Sequence, residues 1–123
     1  MTTVLLDTHA LHWWSAEPDR LSSSATRAVT GADRLAVAAI TWLELAWHAA
    51  HERIVVSVPI RSWLDELAAE VETIGITPAV ADTAMSLPSS FPRDLADQLI
   101  YATAVVSVCR LVTKDPDILQ RAI

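Results

Sequence analysis

The sequence predicts an α/β protein built as three layers, α/β/α, around a parallel central sheet. Three observations carry that expectation. Apolar runs of strand length stand at residues 4–6, 35–39 and 111–113, continuous rather than alternating, as in strands buried on both faces. Segments of helical length lie between them, and regular strand–helix alternation implies parallel pairing. The composition is 52% apolar and 20% charged with a mean hydropathy of +0.33, which excludes a disordered chain. At 123 residues the chain suits a single domain spanning 1–123.

The elements follow in order. Val4-Leu5-Leu6 is a short apolar strand that ends at Asp7. Residues 8–16 read as a helix, and 22–30 as a second with Ser22 to Ser24 as candidate caps. Residues 35–39 form the next strand. Residues 40–51 hold no Gly or Pro and read as a firm helix. Another helix is expected over 59–72, with Pro59 near its first turn. Residues 73–76 are a weak strand, bounded by Gly75 and Pro78. A short helix over 79–87 is stopped by Pro88, and 89–92 is a loop. The longest helix is expected over 94–108, then a last strand at 111–113 and a helical turn at 116–121.

Nine basic and 15 acidic residues give a net charge of −6, so no basic surface announces a polyanion. The single Cys, Cys109, cannot form an internal disulfide, which suits a reducing, cytoplasmic setting. The first residues lack the basic start of a signal peptide. The longest uncharged run, 98–109, is too short to span a bilayer, so no membrane association is expected.

The acids need a reason of their own. Asp7 follows the first strand and Asp115 the last, so both are expected at the carboxyl edge of the sheet, where open parallel sheets bind ligands. Asp94 and Asp97 sit three apart at the start of the longest helix, on one face of its first turn. Glu44 lies within the 40–51 helix. Asp7, Asp94, Asp97 and Asp115 each read equally well alone as helix caps or first-turn dipole partners, and Glu44, on a helix stripe with Thr41, His48 and His51, as a solvated residue. Together they are costly, since two like charges 4 Å apart repel by about 4 kcal/mol at an effective dielectric near 20. Converging carboxylates without Cys favour a hard cation such as Mg²⁺ or Mn²⁺, and such ions organise phosphoryl chemistry.

The strings Leu5-Leu6-Asp7-Thr8-His9-Ala10-Leu11-His12-Trp13-Trp14, Ile40-Thr41-Trp42-Leu43-Glu44-Leu45, Arg93-Asp94-Leu95-Ala96-Asp97 and Leu111-Val112-Thr113-Lys114-Asp115 resemble the PIN-domain ribonucleases, specifically the VapC-type toxins of bacterial type II toxin–antitoxin pairs. The resemblance covers essentially the whole chain. It implies a PIN-like fold and an endoribonuclease that hydrolyses RNA phosphodiester bonds with a metal-activated water. It places catalytic, metal-holding acids at Asp7, Glu44, Asp97 and Asp115, with Asp94 and Thr113 as accessories. Mg²⁺ is the implied cofactor, with Mn²⁺ as a substitute. The implied partners are an RNA substrate, a VapB-type antitoxin and a second copy of the chain, with higher toxin–antitoxin assemblies built from these. Arg93, Lys114 and Arg110 are the candidate phosphate contacts. The chain departs from the pattern at Pro92, Leu95 and Gln98, where relatives carry His, Pro and Arg. The alternative is a catalytically silent PIN-like interaction module, against which the complete set of acids argues.

Five Trp are a heavy load for a small core. Trp13 and Trp14 are about 100° apart around a helix, so one core face cannot centre both. Trp42 and Trp47 point about 140° apart on theirs. Ile40, Leu43 and Trp47 make one apolar face there, while Trp42, Leu45, Ala46 and Ala49 make another. Trp13, Trp14, Trp42 and Trp47 are therefore the expected partner interface, with at least one Trp exposed in a lone protomer. His9 and His12, three apart, read as helix-surface or interface residues. A zinc site from Glu44, His48 and His51 is sterically feasible on one helix face, but is the weaker reading.

Overall fold

The computed structural model describes residues 1–114. Four parallel strands, β1 (Thr3–Leu6), β2 (Arg34–Ala38), β3 (Glu72–Ile74) and β4 (Arg110–Val112), form one sheet in the order β3-β2-β1-β4. Six α-helices connect them: α1 (Thr8–Ala16), α2 (Ser23–Thr30), α3 (Ile40–Ala50), α4 (Ile60–Ala68), α5 (Pro78–Met85) and α6 (Leu95–Ser107). The expected final turn at 116–121 lies outside the described residues. Among those residues no helix is long and apolar enough to cross a membrane.

The pleat sorts the core into two layers. Val4 and Leu6 of β1, Val37 of β2 and Val112 of β4 face one way, onto Ala10 and Leu11 of α1, Ala28 of α2, Leu45 of α3 and Leu67 of α4. Leu5, Ala36, Ala38 and Leu111 face the other way, onto Phe91 and onto Ile100 and Ala104 of α6. Successive side chains thus enter opposite layers, which is why these strands read as unbroken apolar runs. Val80 and Ala84 of α5 pack on Leu99 and Ala102 of α6, where two alanines let the helices approach closely. Cys109 is buried in the second layer, and burial pushes its thiol pKa up.

The helices begin where the sequence supplies caps. Asp7, Ser22, Thr77 and Asp94 accept from the backbone N–H three residues on, at 2.7, 3.1, 3.2 and 3.0 Å. One expected boundary moves. The helix foreseen over 59–72 ends at Ala68, because Glu72 pairs in register with Ala36 as the first residue of β3. Ala69 and Glu70 favour helix locally, but the parallel ladder claims the chain two residues later.

From β1 the chain winds outward through β2 to β3, then returns to place β4 on the other side of β1. The β1–β4 boundary is therefore the point where the winding reverses. Open α/β sheets bind ligands beyond the carboxyl ends of the strands at such a point. Asp7 and Thr113 each come directly after one of these two strands.

Candidate functional site

Asp7 is 9% exposed and held from three directions. Its Oδ1 accepts the Ala10 N–H at 2.7 Å, capping α1. Its Oδ2 accepts from the Thr113 hydroxyl and from the Lys114 N–H, the latter at 3.2 Å. Its own N–H donates to the Val112 carbonyl at 3.0 Å, extending the β1–β4 pairing by one residue. The residues after both strands are thus tied to one carboxylate.

Glu44 reaches the same edge from α3. The Thr8 hydroxyl donates to its Oε1, and Thr8 Oγ1 also lies 3.3 Å from Thr41 Oγ1. Burial raises the Glu44 carboxyl pKa above its ordinary value; the Thr8 bond lowers it, Asp94 raises it, His48 lowers it and Asp7 raises it. Burial and two acids from other elements therefore oppose the Glu44 charge, which one hydroxyl and one imidazole only partly relieve. Asp94 is the exposed N-cap of α6 and accepts from the Asp97 N–H at 3.0 Å. Asp97 stands in the first turn of α6, half-buried. Among the described residues no group of three or more His, Cys, Asp or Glu forms a metal-holding cluster. Asp115 lies outside those residues.

The fold brings Asp7 and Glu44 within electrostatic reach of each other and places Asp94 beside Glu44. Thr113 touches Asp7 directly. Lys114 contributes its backbone N–H there, and its charge lowers the pKa of nearby His9, though less than burial does. Arg93 is exposed one residue before the α6 cap. Arg110 is set apart from these: it opens β4 opposite Val4, at the amino edge of the sheet, away from Asp7.

Thr8 escaped sequence reasoning. Its signal is weak: a hydroxyl residue directly after an acid, matched by Thr41 three residues before Glu44. The imidazoles carried a clearer signal in their spacing. His9 of α1 and His48 of α3 meet with ring centroids 5.8 Å apart. His51 does not join them. It stacks on Trp47 at 4.2 Å and its Nδ1 lies 2.8 Å from the Trp47 carbonyl, so the zinc arrangement of Glu44, His48 and His51 does not form.

The aromatic residues divide. Trp14 and Trp42 pack against the first core layer, and Trp42 Nε1 donates to the Thr73 hydroxyl at 2.9 Å. Trp13 is half-buried, with the Arg20 guanidinium 5.0 Å over its ring. Trp47 is 44% exposed and Leu43 66%, so these two turn outward from α3, while Ile40 of the same expected face packs against the second core layer and Leu45 is fully buried. Leu95, 56% exposed, continues this apolar strip onto α6 beside Glu44 and Asp94.

Comparison with known proteins agrees in sequence and in fold. The PIN domain family matches residues 4–123. Ribonuclease VapC22 of Mycobacterium tuberculosis is 64% identical over 115 residues, covering 94% of this chain and 88% of that protein. The crystal structure of VapBC2 from Rickettsia felis bound to a promoter DNA fragment superposes with a TM-score of 0.73 at 16% identity, covering 98% of this chain and 93% of that one. VapBC-1 from nontypeable Haemophilus influenzae superposes with a TM-score of 0.72 at 18% identity, covering 98% and 92%.

Proposed function

The chain belongs to the PIN-domain family, and from that premise we propose that it is the endoribonuclease toxin of a bacterial type II toxin–antitoxin pair. One observation carries the reading: the switch point of the sheet gathers Asp7 and Glu44, each braced by a hydroxyl from another element. The whole chain, 1–123, acts as one cytoplasmic nuclease domain. Its partners are RNA, a VapB-type antitoxin and a second copy of itself.

Asp7, Glu44, Asp97 and Asp115 would hold the cation, with Asp94 and Thr113 as accessories. The donor chemistry fits, because an all-carboxylate set suits Mg²⁺, or Mn²⁺ in its place, and Glu44 carries repulsion that a cation relieves. When bound, the ion supplies charge neutralisation at the phosphate and a more acidic water. The chain does the positioning. Thr113 and the Lys114 N–H fix Oδ2 of Asp7, while the helix cap fixes Oδ1. Thr8 fixes Oε1 of Glu44. Preset carboxylates need no reorganisation as the phosphodiester enters, which is how electrostatic catalysis gains its effect.

The test is cleavage of RNA by the purified protein in Mg²⁺, with the ends analysed. Products bearing 5′-phosphate and 3′-hydroxyl are expected, with loss of activity in EDTA and in Asp7→Asn. Intact RNA under all conditions, with the protein folded, overturns the reading in favour of a silent interaction module.

A further inference from the structure

A groove of about 400 Å³ opens beside Thr8, between α1, the end of α3 and the turn that follows it. His9, His12, His48, Arg20, Arg53 and Lys114 line it, with Trp13 forming part of the wall. Among the described residues, three of the chain's nine basic residues line this one groove. Elsewhere Arg34 is paired with Glu72 at 3.6 Å and Arg61 with Asp65 at 3.0 Å. Arg53 instead lies over the Trp47 ring at 4.9 Å, with no carboxylate within ion-pair distance among the described residues. The one carboxylate lining the groove among the described residues, Glu17, is shared between His12 at 3.4 Å and Arg20 at 3.8 Å.

A protein of net charge −6 repels a polyanion at long range, and needs local cations to hold one. Screening confines charge effects to about 8 Å at physiological salt, so a cation cluster acts locally whatever the net charge. Single-stranded nucleic acid is held by cations along its backbone together with aromatic or guanidinium faces for unpaired bases. Arg20 over Trp13 is such a stacked layer, already formed. We propose that this groove is an RNA-binding subsite that seats the strand on one flank of the scissile phosphate, Arg20, Arg53 and Lys114 contacting backbone phosphates and the Arg20–Trp13 layer receiving an unpaired base. The subsite rests on the nuclease reading for its orientation toward the acids. It also defines a polarity, since the strand leaves the acids toward α1 and the end of α3 and not along the apolar strip of Leu43 and Leu95.

The experiment uses the full chain carrying Asp7→Asn, which prevents cleavage, and a fluorescein-labelled single-stranded RNA of mixed sequence, read by anisotropy across a salt series in Mg²⁺. Three contacts predict a log–log salt slope of about −2, at about −0.7 per phosphate of a single strand. Arg53→Ala and Arg20→Ala should each weaken binding roughly three- to tenfold and flatten the slope by about 0.7, while Arg61→Ala on α4 should change neither. RNA binding that is indifferent to Arg20→Ala and Arg53→Ala overturns the subsite. So does a loss of antitoxin affinity in those variants with RNA affinity unchanged, which assigns the groove to the protein partner. Absence of RNA cleavage by the unsubstituted protein, with groove-dependent binding intact, sinks the nuclease reading and leaves the subsite standing.

Discussion

Asp7 divides its oxygens between two tasks, Oδ1 closing the first turn of α1 and Oδ2 receiving Thr113 and Lys114. Helix cap and site residue are therefore not competing readings of this acid; one carboxylate has lone pairs for both. Glu44 is the strained member, and Thr8 moderates it. Thr8→Val should cost about 1 kcal/mol, because a half-buried carboxylate loses its hydroxyl donor, and should raise the Glu44 pKa further. Denaturant titration and carboxyl NMR check the two effects. Glu44 also sets a pH dependence with a defined sign. Its folded pKa is raised above the ordinary 4.5, so between those values the native state holds more protons than the unfolded chain. Metal-free protein should lose the Glu44 contribution as pH rises through that window, and regain it on acidification. Glu44→Gln removes the term, so its stability advantage over the parent should grow with pH and then level off. An advantage that is flat from pH 4 to 8 contradicts the repulsion argument.

At the scale of elements, α6 separates its two acids by role. Asp94 supplies the cap bond to Asp97 N–H. Asp94→Ala should therefore cost about 1 kcal/mol in thermal or chemical unfolding. Asp97→Asn should leave the metal-free fold unchanged or slightly firmer while abolishing cleavage and weakening Mg²⁺ binding. If Asp97→Asn unfolds the chain, Asp97 is structural and its catalytic assignment fails. The far end of α6 carries strain. Val108 closes it at φ 54° in the left-handed region, with Cys109 N–H bonded to the Ala104 carbonyl at 3.0 Å. A β-branched residue is poorly suited there, and Val108 is 82% exposed, so little packing is at stake. Val108→Gly should stabilise by about 1 kcal/mol, raising the melting temperature by a few degrees. These ends also show what was legible in the sequence. Strands β1, β2 and β4 and the caps at Asp7, Ser22 and Asp94 rest on local chemistry, and each is visible in a few residues. The end of α4 was not, because Glu72 is claimed by a partner strand 36 residues earlier. The bracing of Glu44 by Thr8, likewise 36 residues apart, was hidden for the same reason. The meeting of His9 with His48 and the cation groove beside it depend on how α1 crosses α3, which no local pattern encodes.

At the scale of the molecule, the proposed nuclease site and an apolar strip share one rim. Leu43, Trp47 and Leu95 expose a continuous hydrophobic edge beside Glu44 and Asp94. Trp14 and Trp42 pack against the core, so substituting them disturbs the fold itself. Trp47 is the cleaner probe. Trp47→Ala gives up the His51 stack and the Arg53 contact, both exposed, and should alter stability by less than about 1 kcal/mol. If the strip is where a second chain docks, the same substitution should weaken self-association or antitoxin binding by about 2 kcal/mol or more, read by sedimentation or calorimetry. Blue-shifted tryptophan emission on complex formation should then be lost in that variant. Unaltered association by both measures removes the strip from the interface.

The bond from Thr113 to Asp7 spans 106 positions of sequence. Asp7 therefore leaves the ribosome long before its brace, and β4, which carries that brace to the sheet, precedes Thr113 directly. A chain that stops before Thr113 lacks the hydroxyl that holds Oδ2 of Asp7. On the toxin reading proposed above, a chain cut before Thr113 should be harmless to the cell that makes it, because that hydroxyl has not yet been added.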